Sequence, residues 1–391
     1  MKVIDVCAFY SPFGGGVKTY DERKLQIAPR LGHEIALVVP SDSNRIEHRG
    51  DGARIIHLAS PQLIVDRRYR YFEAAGPVHA ILDQEAPDFV EASSPWRTAR
   101  IVAEWQGPAA RSLVMHADPL ASYAYRWFGP IASRDAIDRQ FEFFWNHLRR
   151  TGRKFDLTIA ANEGLTGRLR AGGLPRVTTL PMGIEPGLFS PARRDPALRS
   201  ALLARCGLPE TATLLLAVGR HSAEKRWTMI VEATLAASQQ APIGLVLIGD
   251  GRNRAQLARQ VRGNPHIHLM APISDRRLLA NVLASGDALI HGCETETYGI
   301  VAAEAAASGL PLIVPDEGGS AHLARIGAGI AYRAGKAGDA AASILHLIAS
   351  GTEQMRLQAA IHAHRIPSVD DHFVQLFRLY EDLQRPALRA A

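Results

Sequence analysis

Short apolar runs alternate with amphipathic stretches along the whole chain. In the first half, residues 2–9, 34–40, 54–58, 88–92, 112–116, 156–161 and 177–180 read as buried strands, with helical spacing at 17–31 and 135–151. The second half repeats the pattern. Strands at 213–218, 243–248, 266–270, 288–291 and 311–314 are separated by helices at about 225–239, 252–261, 275–284 and 298–308. Strand cores that are apolar on both faces, each followed by a helix, predict parallel sheets covered by helices on both sides. The expected fold class is therefore α/β, with two doubly wound Rossmann-like domains and ligands bound in a cleft at the strand ends.

A proline- and arginine-rich stretch at 186–200 looks like a connection between the two. The expected division is residues 1–185 and 186–368. The last helix, about 369–384, carries Phe373, Leu376, Phe377, Tyr380 and Leu383 at helical spacing. It is expected to dock back on the first domain.

At 391 residues the chain has room for two cores of ordinary size. Its 47% hydrophobic and 21% charged residues are those of an ordinary globular enzyme. No apolar run reaches the ~18–20 residues that span a bilayer. The start reads as a first buried strand ending in a glycine turn, not as a signal peptide. Cys7, Cys206 and Cys293 lack metal-ligand spacing, and a reducing, cytoplasmic setting follows. Net charge is +6. No zinc finger, RNA-binding aromatic signature or groove-reading basic helix accompanies it, so nucleic acid is not an expected partner. An ordinary basic surface and an anionic membrane surface both remain open.

Candidate chemistry gathers in the second domain. VGRHSAEKRW (218–227) follows a strand: Gly219 permits a tight turn, Arg220 comes at once, and Lys225 is expected to open the next helix. Two cations beside a helix N-terminus would make a diphosphate clamp, though taken alone they also fit surface charges. IGDG (248–251) is a second glycine turn after a strand. CETETYGIVAAEAAASGLPLIVPDEGG (293–319) is the most specific stretch. It places Glu296 in a loop, Tyr298, Gly299 and Ile300 at the expected helix start, and Glu304 just inside the helix. Exposed amides at a helix start suit an anion or sugar hydroxyls. A carboxylate such as Glu304 can accept two ribose hydroxyls.

VGRxxxEK, IGDG, E-x7-E, A-x-SG-x-P and GG in this order resemble glycosyltransferase family 4, the group 1 glycosyltransferases. The resemblance implies a GT-B fold and metal-independent transfer with retention at the anomeric carbon. It also implies a nucleotide-sugar donor held by the second domain and no cofactor. Carried over residue by residue, Arg220 and Lys225 would contact the diphosphate, Glu304 the ribose and Glu296 the donor sugar. Gly219 would shape the phosphate turn. The amides of Tyr298, Gly299 and Ile300 would line the sugar–phosphate site, and Ile273 would meet the base. In the first domain, Gly15 and Gly16 of GGGVKTY (14–20) would lie against the donor phosphates, and His116 at a strand end would touch the donor sugar.

The chain departs from the family pattern in places. Thr297–Tyr298 precede Gly299, Met182 stands where asparagine is usual, and His291–Gly292–Cys293 replaces His-Pro-Ser. No Asp-x-Asp occurs, so leaving-group charge would fall to Arg220, Lys225 and helix dipoles. Asp118 is a further candidate in the first domain.

For the donor, a UDP-sugar is favoured and GDP-mannose is next; for the acceptor, a lipid, lipid-linked or saccharide molecule. The basic-aromatic stretch 60–72 suggests peripheral contact with the inner face of the cytoplasmic membrane. Trp127, Phe128, Phe143, Phe144 and Trp145 read as core, with the lining of an acceptor groove as the alternative. Two other classes stay open: a sugar-nucleotide epimerase of the same shape, and a non-catalytic nucleotide-sugar-binding protein.

Overall fold

A computed structural model describes residues 1–10, 16–64, 69–118, 120–129 and 131–384. Gly15, Arg67 and Arg68 lie outside the described residues. The chain divides into two compact units, Met1–Pro181 with Val369–Ala391, and Met182–Ser368.

The first unit is built on an eight-stranded sheet. Its strands are β1 (Lys2–Val6), β2 (Glu34–Ser41), β3 (Arg45–His48), β4 (Ala53–Ala59), β5 (Phe89–Ala92), β6 (Ala110–Met115), β7 (Leu157–Ala160) and β8 (Val177–Thr179). Their order is β3-β4-β2-β1-β5-β6-β7-β8, and every pairing is parallel except β3 with β4. The β1, β2 and β5 side chains are almost all buried, as strands covered on both faces must be. Strand β3 escapes the sequence reading because Arg-Ile-Glu-His is a mostly exposed edge with no apolar run.

The second unit holds a six-stranded, all-parallel sheet in the order β11-β10-β9-β12-β13-β14. Its strands are β9 (Thr213–Val218), β10 (Ile243–Ile248), β11 (Ile267–Met270), β12 (Ala288–Ile290), β13 (Leu312–Pro315) and β14 (Gly329–Tyr332). Strand β14 is the second strand missed, being short and half-exposed. Residues 186–200 are no bare connection. They form a turn of 3-10 helix, Pro191–Arg193, and enter the helix Pro196–Arg205, whose N-terminal amides are capped by Asp195.

The stretch expected as one helix at 135–151 is two, Arg134–Gln140 and Glu142–Gly152, broken at Phe141. Phe144 and Trp145 are core residues as expected, but Trp127, Phe128 and Phe143 are exposed. Among the described residues, no helix is long and apolar enough to cross a membrane.

The helix Val369–Gln384 packs on the first unit, burying Phe373, Leu376, Phe377 and Tyr380. Its Tyr380 ring stacks on Phe89 at 3.9 Å, and its hydroxyl donates to Glu91 at 2.5 Å. Glu91 belongs to a buried charge cluster in which Lys24 lies 2.6 Å from it and 2.9 Å from Asp5. All three side chains are fully buried, and the lysine is the counter-charge that makes burial of two carboxylates tolerable.

Candidate functional site

Strands β10, β9 and β12 are neighbours, so the turns after their carboxyl ends meet at one edge of the second unit. The turn after β9 packs on that after β10. A Cβ on Gly249 would sit 1.9 Å from the Gly219 carbonyl oxygen, so only glycine fits there. Beyond Gly219, residues Ala223–Lys225 form one 3-10 turn, Arg226 takes a left-handed conformation (φ 49°), and the helix begins at Trp227. Lys225 therefore precedes the helix instead of opening it. The turn is tied by the Trp227 indole N–H, which donates to the Arg220 carbonyl at 2.8 Å.

This path delivers Lys225 to Glu296, 71 positions away, as a direct ion pair. Burial alone would raise the Glu296 carboxyl, yet the Lys225 ammonium and His291 outweigh it and hold the group well below the usual carboxylate range. Burial alone would likewise lower Lys225, and Glu296 reverses the sign. The site thus keeps both charges at neutral pH. The adjacent Glu294 faces Arg226, whose Nε donates to it at 2.7 Å, so the two carboxylates have separate cationic partners.

The loop carrying Glu294 and Glu296 is braced from below. The Gly319 amide donates to the Glu296 carbonyl at 2.7 Å. Gly318 has φ 77°, and a Cβ there would stand 2.5 Å from the Glu294 carbonyl oxygen. Tyr332 on β14 donates its hydroxyl to the His291 carbonyl at 2.6 Å.

Glu304 lies in the helix Ile300–Ala307 and is 1% exposed. Its Oε1 accepts from Arg276 at 2.6 Å. Burial raises its pKa, and Arg276 opposes that. Among the described residues, Glu304 Oε2, Ser320 Oγ and both ring nitrogens of His221 are buried with no hydrogen-bond partner. Unpaired buried polar atoms are rare in native folds, and each of these is a candidate contact for a polar guest.

The other expected residues fall as follows. Tyr298 is buried, and Gly299 (φ 84°) caps a helix that begins at Ile300, one or two residues later than expected. The first amides of such a helix have no intrahelical acceptor. Ile273 is half-exposed in the loop after β11. Arg220 does not join the buried pair: its side chain is 70% exposed and 3.8 Å from Glu224.

In the first unit, Gly16 starts the helix Gly16–Arg30, and His116 follows β6 with its ring 4.9 Å from Tyr20. Burial pushes the His116 imidazole down to about 4, so it is neutral at pH 7. Asp118 pairs with Arg168 and caps the Ala121 amide at 3.0 Å. Sequence reasoning missed Arg276, Arg226, Ser320 and Tyr332. Only Arg276 left a local trace, the Ser-Asp helix start just before it.

Residues 212–350 match the Glycosyl transferases group 1 family. A GDP-mannose-dependent alpha-(1-6)-phosphatidylinositol dimannoside mannosyltransferase of Mycobacterium tuberculosis is 30% identical over 316 residues, covering 80% of this chain and 79% of that protein. A GDP-mannose-dependent alpha-mannosyltransferase of the same species is 26% identical, covering 83% and 81%. Among solved structures, sucrose-phosphate synthase from Thermosynechococcus elongatus has a TM-score of 0.76 at 16% identity, over 98% of this chain and 99% of that one.

Proposed function

The chain belongs to the group 1 glycosyl transferases, with the GT-B fold, and from that premise we propose that it transfers mannose from GDP-mannose to a lipid-linked acceptor. The donor site is carried by the pairing of Lys225 with Glu296 and, in the helix that follows that loop, by the half-paired carboxylate of Glu304. In this reading Glu304 Oε2 takes the ribose, Lys225 and Arg220 meet the diphosphate, and Glu296 faces the sugar. The turns at Gly219 and at Tyr298, Gly299 and Ile300 line the phosphate–sugar junction, and Ile273 meets the base. Gly15, Gly16 and His116 stay the first unit's own candidates for donor contact. Being neutral, His116 can donate a hydrogen bond to a sugar hydroxyl without adding charge.

GDP-mannose comes ahead of UDP-sugars, reversing the order read from the sequence alone, because both relatives described above carry it in their names. The lipid acceptor has the same support from the phosphatidylinositol dimannoside enzyme. Charge accumulates on the leaving diphosphate as the glycosidic bond breaks. Lys225 and Arg220 stabilise it electrostatically, and attack from the same face, with the leaving phosphate accepting the acceptor's proton, retains configuration.

The test is release of nucleotide from GDP-mannose, UDP-glucose and UDP-N-acetylglucosamine, each with and without a mannosylated phosphoinositide. Acceptor-dependent release of GDP, persisting in excess EDTA, is the expected result. Release of UDP instead would overturn the donor assignment. Sugar interconversion without acceptor would indicate an epimerase, and no turnover with any pair would indicate a binding protein. Loss in EDTA restored by Mg²⁺ would refute metal independence.

A further inference from the structure

We propose that the loop after β12 binds a thiophilic divalent cation, such as Zn²⁺, through His291, Cys293 and Glu296, and that the bound ion shuts off the enzyme. One imidazole nitrogen, one sulfur and one carboxylate oxygen of these residues all lie within 4.8 Å of one another. Tetrahedral zinc holds its ligand atoms about 3.5 Å apart at bond lengths of ~2.0–2.3 Å, a closure that side-chain rotation supplies. A mixed nitrogen, sulfur and oxygen set suits zinc and cobalt and does not suit magnesium or calcium, which demand oxygen. Three protein ligands leave a fourth position for water.

The donors already stand close to one another. His291 is buried, and its Nε2 stands 3.5 Å from Glu296, the far limit of a hydrogen bond, with no closer partner. The backbone on both sides of this nitrogen is fixed, since the His291 amide donates to Ile313 at 2.9 Å and its carbonyl accepts from Tyr332 at 2.6 Å. Cys293 is buried and in contact with Thr295 at 3.3 Å. Glu296 keeps 23% of its side chain exposed, which gives an ion its way in.

Binding balances simply. Cys293 gives up its proton to solvent as the sulfur–metal bond forms, and the ion sheds water for the three ligands. Glu296 exchanges the Lys225 ammonium for the cation. Thiolate and carboxylate neutralise the divalent charge, and the released Lys225 ammonium, 18% exposed in the pair, turns to solvent. The ion then occupies Glu296 and dislodges Lys225. The inhibition therefore rests on the transfer reading above, whereas the binding does not.

The experiment titrates the untagged full chain and its Cys293→Ser variant with Co²⁺, read by thiolate-to-metal charge-transfer absorption, with Zn²⁺ as displacer. One equivalent bound with the sulfur band in the wild type, and no band in C293S, is the expected result. Loss of a ligand should weaken Zn²⁺ binding at least as much as loss of an outer-shell partner, roughly 10–100-fold. In turnover assays Zn²⁺ should compete with the donor, and C293S should keep its activity while needing at least about tenfold more Zn²⁺ for half inhibition. Cys293→Ala serves equally if the serine variant does not fold. Equal Zn²⁺ affinity in wild type and variant, or a band that survives the substitution, would overturn the proposal. Because the cobalt measurement uses no donor, a failure of the transfer reading and a failure of this one are told apart.

Discussion

At the scale of single residues, the chemistry turns on charges kept in place by their neighbours. Lys225 is held by Glu296 and is mostly buried. Lys225→Ala should leave the fold intact but lower turnover by roughly 10²–10³, the order of one lost transition-state contact. Arg220→Ala should act in the same direction. Steady-state rates on folded protein check this, and wild-type rates in both variants would refute the diphosphate assignment.

His372 offers a different test. Its Nδ1 faces the Pro181 carbonyl at 2.8 Å and its Nε2 faces the Tyr20 hydroxyl at 2.9 Å, which suits a neutral ring donating at one nitrogen and accepting at the other. Burial first, with nearby Lys24 and His116 adding to it, lowers the imidazole to about 4, while Pro181 and Glu91 oppose the shift. The folded value lies below the unfolded ~6.5, so the unfolded chain binds more protons in between. Stability from this group is complete above pH ~6.5 and is lost as pH falls towards 4, by at most about 1.4 kcal/mol per unit. Asp5, raised by burial and Glu91 to about 7, works with opposite sign across about pH 4–7. The stability difference between wild type and His372→Gln isolates the histidine. It should shrink as pH falls from 6.5 to 4 in denaturant titrations, and a pH-independent difference would contradict the neutral ring.

At the scale of elements, the helix Val369–Gln384 shows how a distant segment becomes part of a core. Phe373, Leu376, Phe377 and Tyr380 are buried at spacings of three, one and three, a single helical stripe. Tyr380 then adds what the stripe alone does not specify: its hydroxyl accepts from Ser112 at 3.0 Å and donates to buried Glu91. Tyr380→Phe keeps the ring stacking and leaves one oxygen of Glu91 unpaired. Full-chain stability in denaturant should fall by about 1.5–3 kcal/mol, the range for a hydrogen bond to a charged group. An unchanged midpoint would mean that water replaces the phenol.

At the scale of the whole molecule, surface chemistry bears on the acceptor. The basic-aromatic stretch at 60–72 is less available than its composition implies. Phe72 is buried, and Arg70 donates to the Ser60 carbonyl at 2.6 Å. Exposed apolar surface lies instead on the first unit at Trp127, Phe128, Ile131 and Phe143, with Phe141 bridging Phe128 and Phe143 through ring contacts of 6.2 and 5.7 Å. Exposed Arg134, Arg139 and Arg150 follow in the next two helices. Aromatic side chains beside arginines suit the interface of an anionic membrane. The protein should co-sediment with vesicles containing phosphatidylserine more than with neutral ones, and less as salt rises. Replacing Trp127 and Phe143 by serine should weaken that binding. Equal, negligible binding to both vesicle types at low salt would favour an acceptor met away from the bilayer.

Much was legible in the chain itself. Apolar runs and helical spacing are local, so they determined most strands, the two parallel sheets and the buried stripe of the last helix. Turn chemistry is local too, which is why Gly219, Gly249 and the Glu296–Gly299–Glu304 stretch stood out before any fold was known. Tertiary structure alone decided who faces whom. Sheet order brings the turn after β9 beside the loop after β12, and so Lys225 meets Glu296 and Arg226 meets Glu294. It also sets Arg276 against Glu304, Lys24 between Asp5 and Glu91, and His291 beside Cys293 and Glu296. Strands β3 and β14 exist because a neighbouring strand offers them hydrogen bonds, not because their own residues demand it. Periodicity encodes an element's own geometry, whereas an ion pair or a ligand set depends on distances that only the packed chain fixes.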